Sequence, residues 1–164
     1  MKNKTHKIVI SSLLAALTCI ATIIIKIPSP LKGYINLGDG VVLLSGWLLS
    51  PLYGFLAAGI GSSLADLFSG YATYAPATFL IKGIMALSAC LIFKYLNNKT
   101  SQNISKVISA IIAEVIMISG YFIFEGFLYG FIPSLVNIIP NSIQGFAGLI
   151  VGIILSKIFE KVKH

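Results

Sequence analysis

Apolar positions fill most of the chain in long runs, and the polar positions that interrupt them fall in short clusters of Pro, Gly, Lys and Asn. A helix of about 20 apolar residues, rising about 1.5 Å per residue, is what a hydrocarbon core about 30 Å thick requires. The breaks predict six apolar segments, at 8–25, 35–49, 52–68, 76–96, 104–129 and 135–159. The first ends in Lys26-Ile-Pro-Ser-Pro-Leu-Lys32-Gly33, whose prolines cannot continue a helix. The second and third meet at Ser50-Pro51. As one helix they would measure about 50 Å, too long for the core, so the proline marks a tight reversal between two short helices. Pro76 opens the fourth segment, the hydrophilic stretch from Asn97 to Asn103 closes it, and a break around Pro133 precedes the sixth. The expected fold is all-α: one integral membrane bundle of six transmembrane helices over residues 1–164, with no soluble domain.

Composition supports this class. The chain has 164 residues, 57% of them hydrophobic and 10% charged, with a mean hydropathy of +0.94. A soluble domain of that size cannot hide so much apolar surface, whereas lipid solvates it directly. The net charge of +7 comes from lysines alone, without arginine and without a basic stripe interleaved with aromatics, which argues against nucleic acid. Cys19 and Cys90 fall in apolar stretches and read as packing residues. His6 and His164 sit at opposite ends of the chain without ligand-spaced neighbours, so no metal and no cofactor are expected. The start, Lys2, Lys4 and Lys7 before an apolar run, has the outline of a signal peptide. The run reaches Ile25 without a small-x-small cleavage site, so it is kept as the first spanning helix.

Lysine placement orients the bundle. Lys2, Lys4, Lys7, Lys94, Lys99, Lys106, Lys157, Lys161 and Lys163 fall on one side, and Lys26 and Lys32 on the other. Positively charged loops stay inside, so both termini of this multi-pass membrane protein are expected in the cytoplasm.

Against this background five ionisable residues stand out, because Asp39, Asp66, Lys82, Glu114 and Glu125 lie within the apolar segments. A charge in hydrocarbon costs roughly 2.5–3.5 kcal/mol or more, so such groups face a partner, water or a ligand. In the predicted topology Asp39, Asp66, Lys82 and Glu125 sit toward the outer end, Glu114 sits near the middle, and Asn141 and Gln144 enter from outside. Tyr34, Tyr71, Tyr74, Tyr121 and Tyr129 cluster toward the same end. The pattern predicts an outward cavity with polar and aromatic walls and no polar track to the inner face. It suits binding rather than conduction. Tyr74 and Tyr121 are assigned to the pocket, while Tyr71 and Tyr129 fit an interfacial belt equally well. Structural roles compete for the charges: Lys82 paired with Glu114 or Glu125, and Asp39 or Asp66 capping a helix or meeting water. For Asp66 the structural role is preferred; for Glu114 and Lys82, ligand contact.

Small residues recur every four positions at Ser11, Ala15 and Cys19; at Gly54, Ala58 and Ser62, beside Ala57, Gly61 and Ala65; and at Gly148, Gly152 and Ser156. Such rows let helices approach closely in lipid. The second and third are expected to pack within the bundle and the first to face a partner.

The runs from Asn36-Leu-Gly-Asp39-Gly40 to Gly46, from Pro51-Leu-Tyr53-Gly54 to Asp66, and from Tyr74-Ala-Pro76-Ala-Thr78 to Lys82-Gly83 resemble the S components of energy-coupling factor (ECF) transporters, nearest to the riboflavin-type family. The resemblance implies a substrate-binding subunit for vitamin uptake, not an enzyme, that captures its ligand outside. It further implies assembly with a membrane T component and two cytoplasmic ATPases. The chain itself has no Gly-x-x-x-x-Gly-Lys-Ser/Thr phosphate loop. The family's first-helix Ala-x-x-x-Ala docking row has as its nearest equivalents here Ser11/Ala15 and Ser12/Ala16. The expected substrate-binding residues are Asn36, Asp39, Tyr74, Lys82, Glu114, Tyr121, Asn141 and Gln144. The expected ligand is a neutral or zwitterionic heteroaromatic alcohol or amine, pyridoxine or hydroxymethylpyrimidine ahead of riboflavin or pantothenate. Two other classes compete with this reading. A metal-dependent membrane enzyme would need an Asp-x-x-Asp pair and a phosphate clamp, and neither is found. A stand-alone secondary transporter of a small polar metabolite is the alternative, and internal inverted repeats that would favour it are not found.

Overall fold

The computed structural model describes residues 4–31 and 33–162. Among the positions weighed above, Lys2, Lys32, Lys163 and His164 lie outside the described residues. The chain forms α1 (Lys4–Ile24), α2 (Gly38–Leu48), α3 (Pro51–Phe68), α4 (Ala75–Asn97) and α5 (Gln102–Tyr129). A short α6 (Phe131–Ser134) passes through a 3₁₀ turn (Leu135–Asn137) into α7 (Ile138–Val162). Between α1 and α2 lies a feature the all-α expectation did not include. Strands β1 (Ile27–Pro28) and β2 (Tyr34–Ile35) pair antiparallel, with Ile27 opposite Ile35.

Local chemistry sets the boundaries. Leu49 and Ser50 are both extended (ψ 168° and 159°), and Pro51 opens α3, so the chain reverses within two residues at the proline. The Ser101 side chain accepts the Ile104 amide and caps α5, which starts at Gln102, two residues earlier than expected. The break expected around Pro133 lies instead at Gly130, whose φ of +94° suits glycine, while Pro133 rides within α6.

Helices α1, α4, α5 and the stretch Phe131–Lys161 are long and apolar enough to cross a membrane, whereas α2 has only eleven residues. Outward-facing side chains are apolar, with Leu13, Leu80, Ile111 and Phe146 at least half exposed. Helix α2 forms the axis: Gly38 through Trp47 are all buried, and α1, α3, α4, α5 and α7 pack against it. Around it α1 packs on α3, α3 on α4, α4 on α5, and α5 on α7.

Glycines permit these approaches. A Cβ at Gly61 would lie 2.4 Å from the Ala15 carbonyl oxygen of α1, and one at Gly148 2.6 Å from Asp39 Cβ of α2. The second and third small-residue rows therefore include residues that pack helices together inside the bundle. The first row, expected to face a partner, is mostly turned inward, with Ser11 and Cys19 buried and Ala15 half-buried where α1 packs on α3, while the neighbouring Ser12 and Ala16 are exposed.

Candidate functional site

Near the start of α2, Asp39 is fully buried. Its Oδ1 pairs with Lys82 of α4, and its Oδ2 accepts a hydrogen bond from Gln144 Nε2 of α7 at 2.7 Å. Gln144 Oε1 in turn accepts from the Asn36 amide at 2.9 Å and from Asn36 Nδ2 at 3.3 Å, while Asn36 Oδ1 accepts from the Gly38 amide at 2.9 Å. Lys82 therefore pairs with Asp39 rather than with Glu114 or Glu125. The reason is axial packing: α2 sits in contact with α4, which carries Lys82, and with α7, which carries Gln144.

Beside this floor lies a small chamber. Asn36, Gln144 and Asn141 line one side, Tyr74, Thr78 and Tyr121 another, and Asp66 and Glu125 supply carboxylates. Ser29, Gly33 and Tyr34 of the α1–α2 connection complete it, together with Tyr71. Its free volume is about 30 Å³. A small-molecule pocket measures roughly 300 Å³ or more, so the segment that covers the chamber leaves no room for such a ligand.

Three contacts fasten that segment. Tyr34 donates its hydroxyl to Asp66 Oδ1 at 2.6 Å, the Leu31 amide reaches Asn137 Oδ1 at 3.4 Å, and Lys26 Nζ donates to Ser69 Oγ at 2.9 Å. Burial, then the neighbouring Asp66 carboxylate, push the Tyr34 phenol well above its usual range, so it remains a hydrogen-bond donor. Behind it Glu125 Oε1 accepts from Asn137 Nδ2 at 2.8 Å and from the Tyr74 hydroxyl at 3.3 Å. The Tyr34 and Tyr71 rings stack at a tilt with centroids 4.8 Å apart.

Of the eight expected binding residues, Asn36, Tyr74, Tyr121, Asn141 and Gln144 line the chamber. Asp39, Lys82 and Glu114 do not. Lys82 lies 5.5 Å from the Tyr121 ring centroid, with its charge committed to Asp39. Glu114 is buried between α5 and α7, and neither carboxylate oxygen has a hydrogen-bond partner among the described residues. A Cβ at Gly145 or Gly148 would stand 3.0 or 2.8 Å from those oxygens, so the two glycines make room for the carboxylate.

Asp66, which the sequence reading favoured as structural, lies on the chamber wall with Glu125. Thr78, Ser29 and Gly33 were missed, and Tyr34 was placed only in the outer aromatic cluster. Helical spacing marked Thr78, since Tyr74, Thr78 and Lys82 recur every four residues; Tyr121 and Glu125 share a face of α5 in the same way. No periodicity marks residues in an irregular connection.

At the opposite end of the bundle Lys106 is buried, not a loop lysine. Its Nζ reaches Glu160 Oε1 at 2.5 Å and Ser156 Oγ at 3.1 Å, both on α7. Trp47 Nε1 donates to Ser109 Oγ at 2.9 Å nearby.

A helical membrane bundle with a covered polar and aromatic chamber at one end defines a class, the membrane subunits that hold a small molecule. The chain belongs to the family of the ECF-type riboflavin transporter S component, whose family model matches residues 2–161. An uncharacterized protein in a gap 3′ region of Pyrococcus woesei is 30% identical over 143 residues, 87% of this chain and 93% of that protein. Among solved structures, the S component of a bacterial ECF transporter superposes with a TM-score of 0.79 at 28% identity, covering 98% of both chains. The S component for biotin from an ECF-type ABC transporter gives a TM-score of 0.68 at 17% identity over 98% of this chain and 95% of that one, a likeness of fold. The protein is thus a substrate-binding subunit for vitamin-type uptake with an all-α, multi-pass membrane fold.

Proposed function

We propose that this chain is a high-affinity capture subunit for a small heteroaromatic vitamin or vitamin precursor, of the size of pyridoxine or hydroxymethylpyrimidine. The observation that carries this reading is the covered chamber, in which tyrosine faces meet amide and carboxylate groups. A planar ring stacks on the tyrosines, and its ring nitrogen and hydroxyl groups meet Asn36, Asn141 and Gln144. Asp39, Lys82 and Glu114 act beneath, the ion pair holding Gln144 and through it Asn36 in place.

The proposed topology is one domain over residues 1–164 that crosses the cell membrane six times, with both termini in the cytoplasm and the chamber facing outward. In support, Lys26 of the α1 end meets Ser69 of the α3 end beside the chamber, while Lys106 at the start of α5 meets Glu160 near the end of α7.

The proposed partners are a membrane T component and two cytoplasmic ATPases. An apolar groove of about 610 Å³ between α1 and α3, lined by Ser11, Ser12, Ala15 and Ala16 and by Ala57 and Ile60 opposite, supports docking on that face.

Mass spectrometry of the small molecule that co-purifies with the protein, followed by calorimetry against a panel of vitamins, tests the reading. A bound heteroaromatic vitamin or precursor is expected. Vectorial uptake into liposomes by this chain alone, without ATPases, would replace it with a stand-alone secondary transporter.

A further inference from the structure

The chamber carries an imbalance of charge that the size and shape of a ligand do not explain. Asp66 and Glu125 are 5% and 2% exposed, far below what two carboxylates tolerate without compensation. Each spends one oxygen on neutral donors, Asp66 Oδ1 on Tyr34 and Glu125 Oε1 on Asn137 and Tyr74. The other oxygen of each, Asp66 Oδ2 and Glu125 Oε2, is buried with no hydrogen-bond partner among the described residues.

No cationic side chain lines the chamber among the described residues. Lys82 is paired with Asp39 and lies 5.5 Å from the Tyr121 ring centroid, and Lys26 donates to Ser69 and lies 5.9 Å from that of Tyr34. The remaining wall is tyrosine: Tyr34, Tyr71, Tyr74 and Tyr121. Ring faces carry negative potential and attract cations, most strongly where water is excluded. Two acceptor oxygens without donors inside a wall of aromatic rings form a receptacle for positive charge.

We infer that the ligand of this chamber is a cation, a heteroaromatic ring bearing a protonated amine or a fixed ring charge, held by Asp66 Oδ2 and Glu125 Oε2 between tyrosine faces. The inference rests on the capture reading above and narrows it on one property, charge. A protonated amine brings both the donors for the two orphaned oxygens and the positive charge that balances them, whereas a neutral ligand with several hydroxyls supplies donors without the charge. A neutral flavin leaves both carboxylates uncompensated.

The test uses the purified full-length protein in lipid nanodiscs, titrated by calorimetry at neutral pH with probes matched in shape and different in charge. Pyridoxamine is compared with pyridoxine, and thiamin with 3-deazathiamin, the neutral isostere in which carbon replaces the quaternary nitrogen. The better-binding cation is expected to exceed its neutral partner by roughly tenfold or more, as a charge-assisted hydrogen bond implies. Asp66→Asn and Glu125→Gln, checked for helical content and monodispersity, are expected to remove most of that preference. A neutral probe binding as tightly as its cationic partner overturns the inference and leaves the capture reading standing. A preference unaltered in both variants overturns the assignment to these carboxylates. If no vitamin in the panel binds and none co-purifies, the capture reading falls and the inference falls with it.

Discussion

The ammonium of Lys82 on α4 and the carboxylate of Asp39 on α2 form an ion pair whose side chains are 3% and 0% exposed. Removing one partner from such a pair strands a charge away from water, whereas removing both leaves little to compensate. Lys82→Met is therefore expected to destabilise the bundle by about 3–5 kcal/mol, and the double variant Lys82→Met with Asp39→Asn to recover more than half of that loss. Thermal unfolding in detergent, run on both single variants and the double, measures the coupling. Additive losses would show that the two charges act independently.

Gly148 occupies the crossing of α7 with α2 and α5. A methyl group there would lie 2.6 Å from Asp39 Cβ and 2.8 Å from Glu114 Oε1, so a side chain or a helix must shift. Gly148→Ala is expected to cost about 1–3 kcal/mol, the usual penalty of overpacking, in the same unfolding assay. Gly70, with open space around its Cα but a φ of +83°, is the control in which the penalty comes from backbone conformation alone.

The Tyr34–Asp66 hydrogen bond is one of the contacts that hold the α1–α2 connection over the chamber. Hydrogen bonds to a charged group contribute about 1.5–3 kcal/mol, so Tyr34→Phe is expected to speed ligand dissociation by roughly tenfold or more. Stopped-flow displacement of a bound vitamin measures the rate. An unchanged rate would place the closing contact elsewhere, at Leu31 and Asn137.

Ala16 is exposed on the first helix, whereas the Ala15 carbonyl touches α3 at Gly61. Ala16→Trp is expected to abolish co-purification with a T component while ligand binding is retained. Ala15→Trp is the harsher variant, because its backbone supports a helix contact. Normal assembly of Ala16→Trp would remove the docking assignment from this face.

The long segments were legible because lipid imposes one requirement, a continuous apolar run, and the chain meets it with few exceptions. The proline reversal at Ser50-Pro51 and the close-packing glycines followed from backbone chemistry that operates locally. Partner choice among the charges was less legible. The sequence pattern offered Lys82 two carboxylates, Glu114 and Glu125, and only the burial of α2 at the bundle axis brings Asp39 to it instead. Asp66 was set aside for its nearness to the α3–α4 loop, yet Tyr71 of that loop lines the chamber and Tyr34 of the α1–α2 connection bonds to Asp66 across it. The cover itself, with its two-residue strands, has no periodicity to read, since its shape comes from contacts with α3 and the turn before α7.

The brevity of α2 has a consequence for how cargo selection and architecture divide between residues. Eleven residues rise only about 16 Å, roughly half of a bilayer's oily interior, so the axial rod stops short and leaves a socket above its first turn. The dimensions of that socket are fixed by where the rod begins, while its chemistry is written on the tips of surrounding helices and on a connecting strap. Exchanging the tips alters what is carried without disturbing the shaft, and one scaffold can thereby serve nutrients of different charge.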